Sequence, residues 1–150
     1  MDHVDLQAAQ QLTSRIRALA VRDEHRSLLE IAADPDTSRL LDLLGTDLAA
    51  AARLHLDAAG RWKVRMEETN RRRLDEAQAA LDGFDLTLSR AVLSRIEEDW
   101  LTPNDAAVRD GILLQMEART METEELTALA SEAFKEHKPI GRRWQRRRKR

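Results

Sequence analysis

The fold class is decided by residues 85–137, which read DLTLSRAVLSRIEEDWLTPNDAAVRDGILLQMEARTMETEELTALASEAFKEH. Apolar residues recur every three or four positions on both sides of Thr102-Pro103, which is the spacing of one α-helix face. Thr102 suits an N-cap, and Pro103 suits the first helical position because its missing N–H is not needed there. The stretch therefore predicts two helices folded back on each other. The recurring apolar residues are Leu86, Leu93, Ile96 and Trp100 before Thr102-Pro103 and Ile112, Met116, Leu126, Ala130 and Ala133 after it.

The second of these helices should not be continuous. Its apolar spacing fails at Arg119 and Thr123, so a kink or a short break is predicted near 119–123. Gly111 interrupts the helical pattern, where glycine is less favourable than alanine. A close helix–helix contact opposite Trp100 or Leu93 would explain this glycine.

The N-terminal part of the chain predicts a series of shorter helices. Residues 4–33 have a helical stripe, and the polar run 22–26 favours a break with Asp23 as the cap of the second helix. Asp34 reads as the next N-cap with Pro35 at the first helical position. Gly45 is placed to end that helix in a left-handed cap.

Residues 47–81 allow two interpretations. Leu48, Ala52, Ala59 and further positions at spacings of three and four favour one long helix. Alternation of apolar and polar residues on both sides of Gly60 is instead typical of a small β-hairpin over 53–67. The helix is favoured because alanine is abundant there. The following run, 67–73, has no apolar residue and should be solvated on all sides.

These observations predict an all-α fold, a helical bundle of about five to seven helices. A helical domain over 1–140 is followed by a disordered basic tail over 141–150, because like charges repel and the tail has little to bury. The predicted core is Leu12, Ile16, Leu19, Leu28, Leu40, Leu44, Leu48, Leu86, Leu93, Ile96, Trp100, Leu113, Met116, Leu126 and Phe134.

Charge is distributed unevenly along the chain, although the net charge is only −2. All 27 acidic residues lie in 1–140 with 18 basic ones, which gives that part a charge of −9. The tail has seven basic residues and no acidic one. Such a segment is attracted to polyanions.

The tail is the strongest candidate for a nucleic-acid contact. Arginine pairs bidentately with phosphate, and Trp144 can stack on an exposed base. Seven phosphate contacts on a duplex would give log K against log salt a slope of roughly −6. An acidic protein groove, an anionic lipid surface, a self-contact with the acidic body and a purely solubilising role remain open. The candidate residues are Arg142, Arg143, Trp144, Arg146, Arg147, Arg148, Lys149 and Arg150.

A second basic group lies in the stretch with two interpretations. In a hairpin, Arg61, Lys63 and Arg65 would share one face, as on a basic wing in a groove. In a helix the group would spread around the axis and pair with Glu67, Glu68, Asp75 and Glu76. This second interpretation, a salt-bridged solvated helix, is favoured. The full group is Arg61, Lys63, Arg65, Arg71, Arg72 and Arg73.

No motif indicates an enzyme, a cofactor or a metal site. The five glycines are scattered, so no phosphate-binding loop is present, and the four histidines form no zinc-type pair. His55 should be a partly buried core residue, and His137 suits the C-terminal end of a helix. Cysteine is absent, which agrees with a reducing cytoplasm, and no apolar run approaches the ~20 residues of a membrane span.

The sequence therefore predicts a cytoplasmic, non-enzymatic binding protein. It would contact nucleic acid or a nucleoprotein assembly through the tail, helped by the second basic group. The alternative is a self-associating adaptor or assembly factor, a homo-oligomer whose tail docks to an acidic protein surface. The excess of arginine over lysine, 21 to 4, is typical of a GC-rich bacterial genome.

Overall fold

The computed structural model describes residues 2–136. These residues form six α-helices and one 3-10 turn at Glu98–Trp100, with no β-strand among them. The predicted all-α class and the predicted number of helices are confirmed. The helices are α1 (His3–Val21), α2 (His25–Ala33), α3 (Pro35–Asp42), α4 (Thr46–Asp82), α5 (Leu86–Leu93) and α6 (Pro103–Glu136).

The described chain groups into two compact units. The first contains 2–72 and 97–102, and the second contains 73–96 and 103–136. Helix α4 contributes residues to both of them. The division into a domain over 1–140 and a tail over 141–150 stays a prediction, since 137–150 lie outside the described residues.

Several helix starts follow the capping residues. The Asp34 carboxylate accepts from the Asp36 N–H at 2.9 Å at the start of α3, and Asp85 accepts from the Leu88 N–H at 3.0 Å at the start of α5. Pro103 is the first residue of α6, as predicted. The break between α1 and α2 is confirmed, but Glu24 rather than Asp23 occupies the N-cap position, and its side chain makes no capping hydrogen bond.

The core of the first unit is built by α1, α2, α3 and the N-terminal part of α4. Helix α4 contributes residues 49, 52, 56 and 59, three of them alanines, at spacings of three and four. Small side chains on this face let the neighbouring helices approach closely. The buried cluster is Ile16, Leu19, Leu28, Ile31, Leu41, Ala49, Ala52, Leu56 and Ala59.

The long-helix interpretation of 47–81 is confirmed, and the hairpin alternative at 53–67 is wrong. Helix α4 runs unbroken through Gly60. Leu54 and Val64, which supported the alternation, are exposed surface residues. Ala52, Leu56 and Ala59 are buried at helical spacings of three and four. The helical period, and not the period of two, therefore describes this stretch.

Asn70 contradicts the prediction that 67–73 are solvated on all sides. Its side chain has 0% exposure. The Asn70 Nδ2 donates to the Glu97 carbonyl and its Oδ1 accepts from the Glu97 N–H, both at 2.9 Å. This pair attaches the segment 97–102 to α4 within the first unit. Helix α5 ends at Leu93 instead of continuing to Trp100, and the backbone of Glu97 pairs with Asn70 rather than with a helical turn.

The second unit joins the C-terminal end of α4 to α5 and the first half of α6. Ser89 in α5 donates to the Ala77 carbonyl of α4 at 2.8 Å, and its Oγ lies 3.7 Å from the Met116 sulfur of α6. Three helices therefore meet at one buried hydroxyl. The buried apolar residues here are Leu74, Ala77, Ala80, Leu81, Val92, Ile96, Ile112 and Met116.

Two local predictions about glycines are wrong, and a predicted break in α6 is absent. Among the described residues no glycine has a positive φ, so Gly45 does not form a left-handed cap. A Cβ added at Gly111 would meet nothing within 4 Å, so no close helix contact explains that glycine. Helix α6 is continuous from Pro103 to Glu136, so the predicted break near 119–123 does not form.

The predicted core is confirmed in part. Ile16, Leu19, Leu28, Ile96 and Met116 are buried. Another six are half-buried: Leu12, Leu40, Leu44, Leu86, Leu93 and Trp100. Leu48, Leu113, Leu126 and Phe134 are exposed, so their assignment to the core is wrong.

None of the helices described in residues 2–136 has the length and apolarity that crossing a membrane requires.

Replacing Asn70 by leucine should lower the free energy of unfolding by about 1–3 kcal/mol, because the backbone N–H and C=O of Glu97 lose their partners. Urea denaturation measures the change. The control is Glu68→Gln on the exposed surface of the same helix, expected to stay within about 0.5 kcal/mol of the parent. Equal stability of both variants would contradict the structural role of Asn70.

Candidate functional site

The predicted nucleic-acid residues of the tail, 142–150, lie outside the described residues. Their contact with nucleic acid stays a prediction. His137 lies outside as well.

The second basic group lies on α4, where it spreads around the helix as the helical interpretation predicted. At about 100° per residue, Arg61, Arg65 and Arg72 fall within about 40° of one another. Lys63 and Arg71 point about 100° or more away from the centre of that arc. Arg61, Arg65 and Arg72 are exposed and are called the α4 arginine stripe below.

The predicted pairing of this group with nearby acids is confirmed for Lys63, whereas four arginines of the group form no such ion pair within residues 2–136. Lys63 pairs with Glu67 at 3.8 Å. Arg61 and Arg65 form no ion pair with any residue of 2–136. Arg72 makes a 3.5 Å contact with the hydroxyl of Thr69, whereas Arg73 donates to the Arg95 carbonyl. Two cations of the stripe therefore keep their charge available to an external anion.

The histidines do not assemble a metal site in the part of the chain that is described. No group of three or more His, Cys, Asp or Glu residues with metal-binding geometry occurs there. His55 is exposed, so its prediction as a partly buried core residue is wrong. His25 is the half-buried imidazole, stacked on Trp62 at a ring separation of 4.7 Å.

Buried polar side chains are engaged with the backbone at helix junctions. Thr37 donates to the Ile31 carbonyl at 2.6 Å, and Asn70 and Ser89 bond the backbone as described above. These groups hold neighbouring elements together. Their hydrogen bonds to the backbone indicate a structural role rather than a catalytic one.

The C-terminal half of α6 is the most unusual surface of the second unit. Every side chain from Met121 to Lys135 is exposed, over about 22 Å of helix. Leu126, Leu129 and Phe134 are 67%, 64% and 77% exposed. Solvent-exposed large apolar residues clustered on one helix indicate an interaction surface.

These apolar residues continue a face that is buried earlier in the same helix. Ile112 and Met116 are buried, and the same spacing of three and four then runs through Arg119 and Thr123 into the exposed half. The distal face of α6 is defined here by Leu126, Leu129, Ala130, Ala133 and Phe134, which share an arc of about 140°.

Arg119 marks the end of the packed part of α6. Its guanidinium donates to the Leu81 carbonyl and lies 4.6 Å from the centroid of the Phe84 ring. Thr120 is half-buried, and from Met121 onward the helix is exposed. Periodicity alone identified the distal face but not its exposure, since a repeat does not show where the covering helices end.

The acidic residues of this half lie mostly away from the distal face. Glu124, Glu125 and Glu132 lie about 110° or more from the centre of the apolar arc. Glu122 lies at one end of the face. Two such faces can therefore approach each other with few carboxylates between them.

Comparisons of the chain with protein-family models, curated proteins and solved structures find no match in any of the three.

Replacing Arg119 by alanine should lower the free energy of unfolding by about 1–2 kcal/mol, because a hydrogen bond and a cation–π contact are lost together. Thermal and urea denaturation measure the effect. Glu117→Gln, two residues earlier and exposed, is the matched control and should be neutral. If Glu117→Gln lowers the free energy of unfolding by as much, the effect comes from the change in net charge and not from these contacts.

Proposed function

We propose that this protein is a non-enzymatic assembly protein in which two copies of the chain pair through the distal face of α6. The observation that carries the proposal is the exposure of every side chain from Met121 to Lys135 on a helix that is amphipathic there. The pairing is the self-association expected of an adaptor.

The free energy of burying apolar side chains favours a partner that covers the distal face. Fully burying a leucine or phenylalanine side chain is worth about 1.5–3 kcal/mol, and the face contains two leucines and one phenylalanine. An isolated helix of about 15 residues is marginal in water. No side chain of 121–135 is buried by another described residue, so a partner would supply much of the stability of this half of α6.

Charge and shape favour a second copy as that partner. Glu124, Glu125 and Glu132 lie on the far side of the helix, so pairing two identical faces does not oppose these carboxylates. Ala130 and Ala133 let two helix axes approach closely. A two-fold pair uses the same patch on both copies, which is the commonest form of homo-oligomer.

Sedimentation equilibrium of the full-length protein should give a mass that rises with concentration toward twice 17.1 kDa. Leu126→Glu places a carboxylate in the interface and should weaken association at least about tenfold, equal to about 1.4 kcal/mol. Ala128→Glu adds the same charge about 170° from the centre of the distal face and should change association less than about threefold.

A mass of 17.1 kDa at every concentration would contradict the pairing. Equal effects of the two substitutions would place the interface elsewhere. Association only in a mixture with another protein would replace the second copy by a different partner.

Nucleic-acid binding is a second candidate, favoured by the α4 arginine stripe. Arg61 and Arg72 are about 16 Å apart along the helix axis, with Arg65 between them. Three guanidinium groups on one exposed face can contact a row of phosphates. The seven basic residues of the tail would supply the larger share of the charge.

A salt titration of duplex binding tests this candidate in full-length protein. Replacing the seven basic residues of 142–150 by glutamine should reduce the slope of log K against log salt by roughly 6 per chain. Replacing Arg61, Arg65 and Arg72 by glutamine should reduce it by roughly 3.

The matched control removes two exposed cations of α1 by Arg15→Gln with Arg17→Gln, and should leave the slope unchanged within about 0.5. Equal affinity of the parent and the tail variant would end the nucleic-acid proposal. Binding of the parent to an acidic protein but not to a duplex would favour the adaptor.

A further inference from the structure

The first unit contains a cleft that neither proposed interaction uses. Its volume is about 370 Å³, within the range of small-molecule sites. It lies where the start of α2 meets α4 and the segment 97–102. Its walls combine aromatic rings with carboxylates, and they are formed chiefly by Asp23, Glu24, His25, Trp62, Asp99 and Trp100.

The aromatic wall consists of half-buried rings. His25 stacks on Trp62 with a ring separation of 4.7 Å and an interplanar angle of 19°. The Nδ1 atom of His25 is buried and has no hydrogen-bond partner. Trp100 supplies a second indole. Indole faces carry negative potential and attract cations that are weakly hydrated.

The charge of the cleft has the same sign as the indole faces. Three carboxylates line it, from Asp23, Glu24 and Asp99, against the single guanidinium of Arg26. Arg26 pairs with Asp99 at 3.3 Å, and Glu24 pairs with Arg22 at 3.6 Å. Asp23 lines the cleft, is exposed and forms no ion pair within residues 2–136.

We propose that this cleft binds an organic cation, either an alkylated ammonium or a guanidinium group. Two indoles would contact its apolar groups while Asp23, the carboxylate of the lining without an ion pair in residues 2–136, compensates its charge. A bare metal ion suits the cleft poorly, since no metal-binding group of three His, Cys, Asp or Glu residues occurs in the described part of the chain. An anion would face three carboxylates.

The cation can come from two sources, a free small molecule or a basic side chain. The tail of this chain is itself rich in guanidinium groups. Both sources present the same chemistry to the cleft, so a cationic probe alone does not distinguish them. A variant without the basic residues of the tail does.

The test is a titration of full-length, nitrogen-15-labelled protein followed by NMR. Three tryptophans give three indole N–H signals, and two of them, Trp62 and Trp100, line the cleft. The probes are choline, methylguanidinium and the uncharged isostere of choline in which carbon replaces nitrogen. Sodium chloride at matched ionic strength corrects for salt.

The Trp62 and Trp100 signals should shift saturably with at least one cation, with a dissociation constant on the order of 1 mM. The uncharged isostere should bind roughly tenfold more weakly. Asp23→Asn should weaken binding about threefold while keeping the positive φ of this position, which asparagine tolerates. Glu68→Gln, which also replaces a carboxylate by an amide in the first unit, should leave binding unchanged.

Replacing the seven basic residues of 142–150 by glutamine separates the sources. Tighter binding of the probe by this variant would identify the chain's own side chains as the competing cation. Unchanged binding would identify a ligand from outside the chain. No saturable shift with either cation, equal shifts with the isostere, or equal effects of Asp23→Asn and Glu68→Gln would overturn the proposal.

Discussion

The apolar face of α6 extends beyond the helices that cover it, and the proposed pairing of two chains depends on that mismatch. Helix α6 has 34 residues, about 51 Å, whereas α5 has only 8, about 12 Å. Packing in the second unit ends near Arg119, which bonds Leu81 at the end of α4. The same heptad-like spacing continues into residues that remain exposed. A face that is amphipathic but uncovered is explained most simply by a partner of matching shape.

Local chemistry made much of the fold predictable from sequence. Asp34 and Asp85 cap helices, and Pro103 begins one, because each satisfies or avoids an unpaired backbone N–H. Periodicity identified the apolar faces of the long helices. It did not decide between helix and hairpin over 53–67, since exposed residues such as Leu54 imitate a strand when exposure is unknown.

The remaining features depend on contacts distant in sequence. Asn70 lies in a run of polar residues, and only its bonds with Glu97, 27 positions later, explain its burial. The stacking of His25 on Trp62 joins different helices in the same way. The distal face of α6 was predicted as part of a helical stripe but assigned to the core. Spacing identifies a face, whereas burial depends on how far its neighbours extend.

Self-association through α6 is the central claim, and hydrogen exchange resolved along the chain tests it most directly. Amides of 123–135 should exchange rapidly in dilute protein and gain protection as concentration rises, while those of 105–119 stay protected throughout. Protection of 123–135 that does not change with concentration, or that never develops, would contradict the claim.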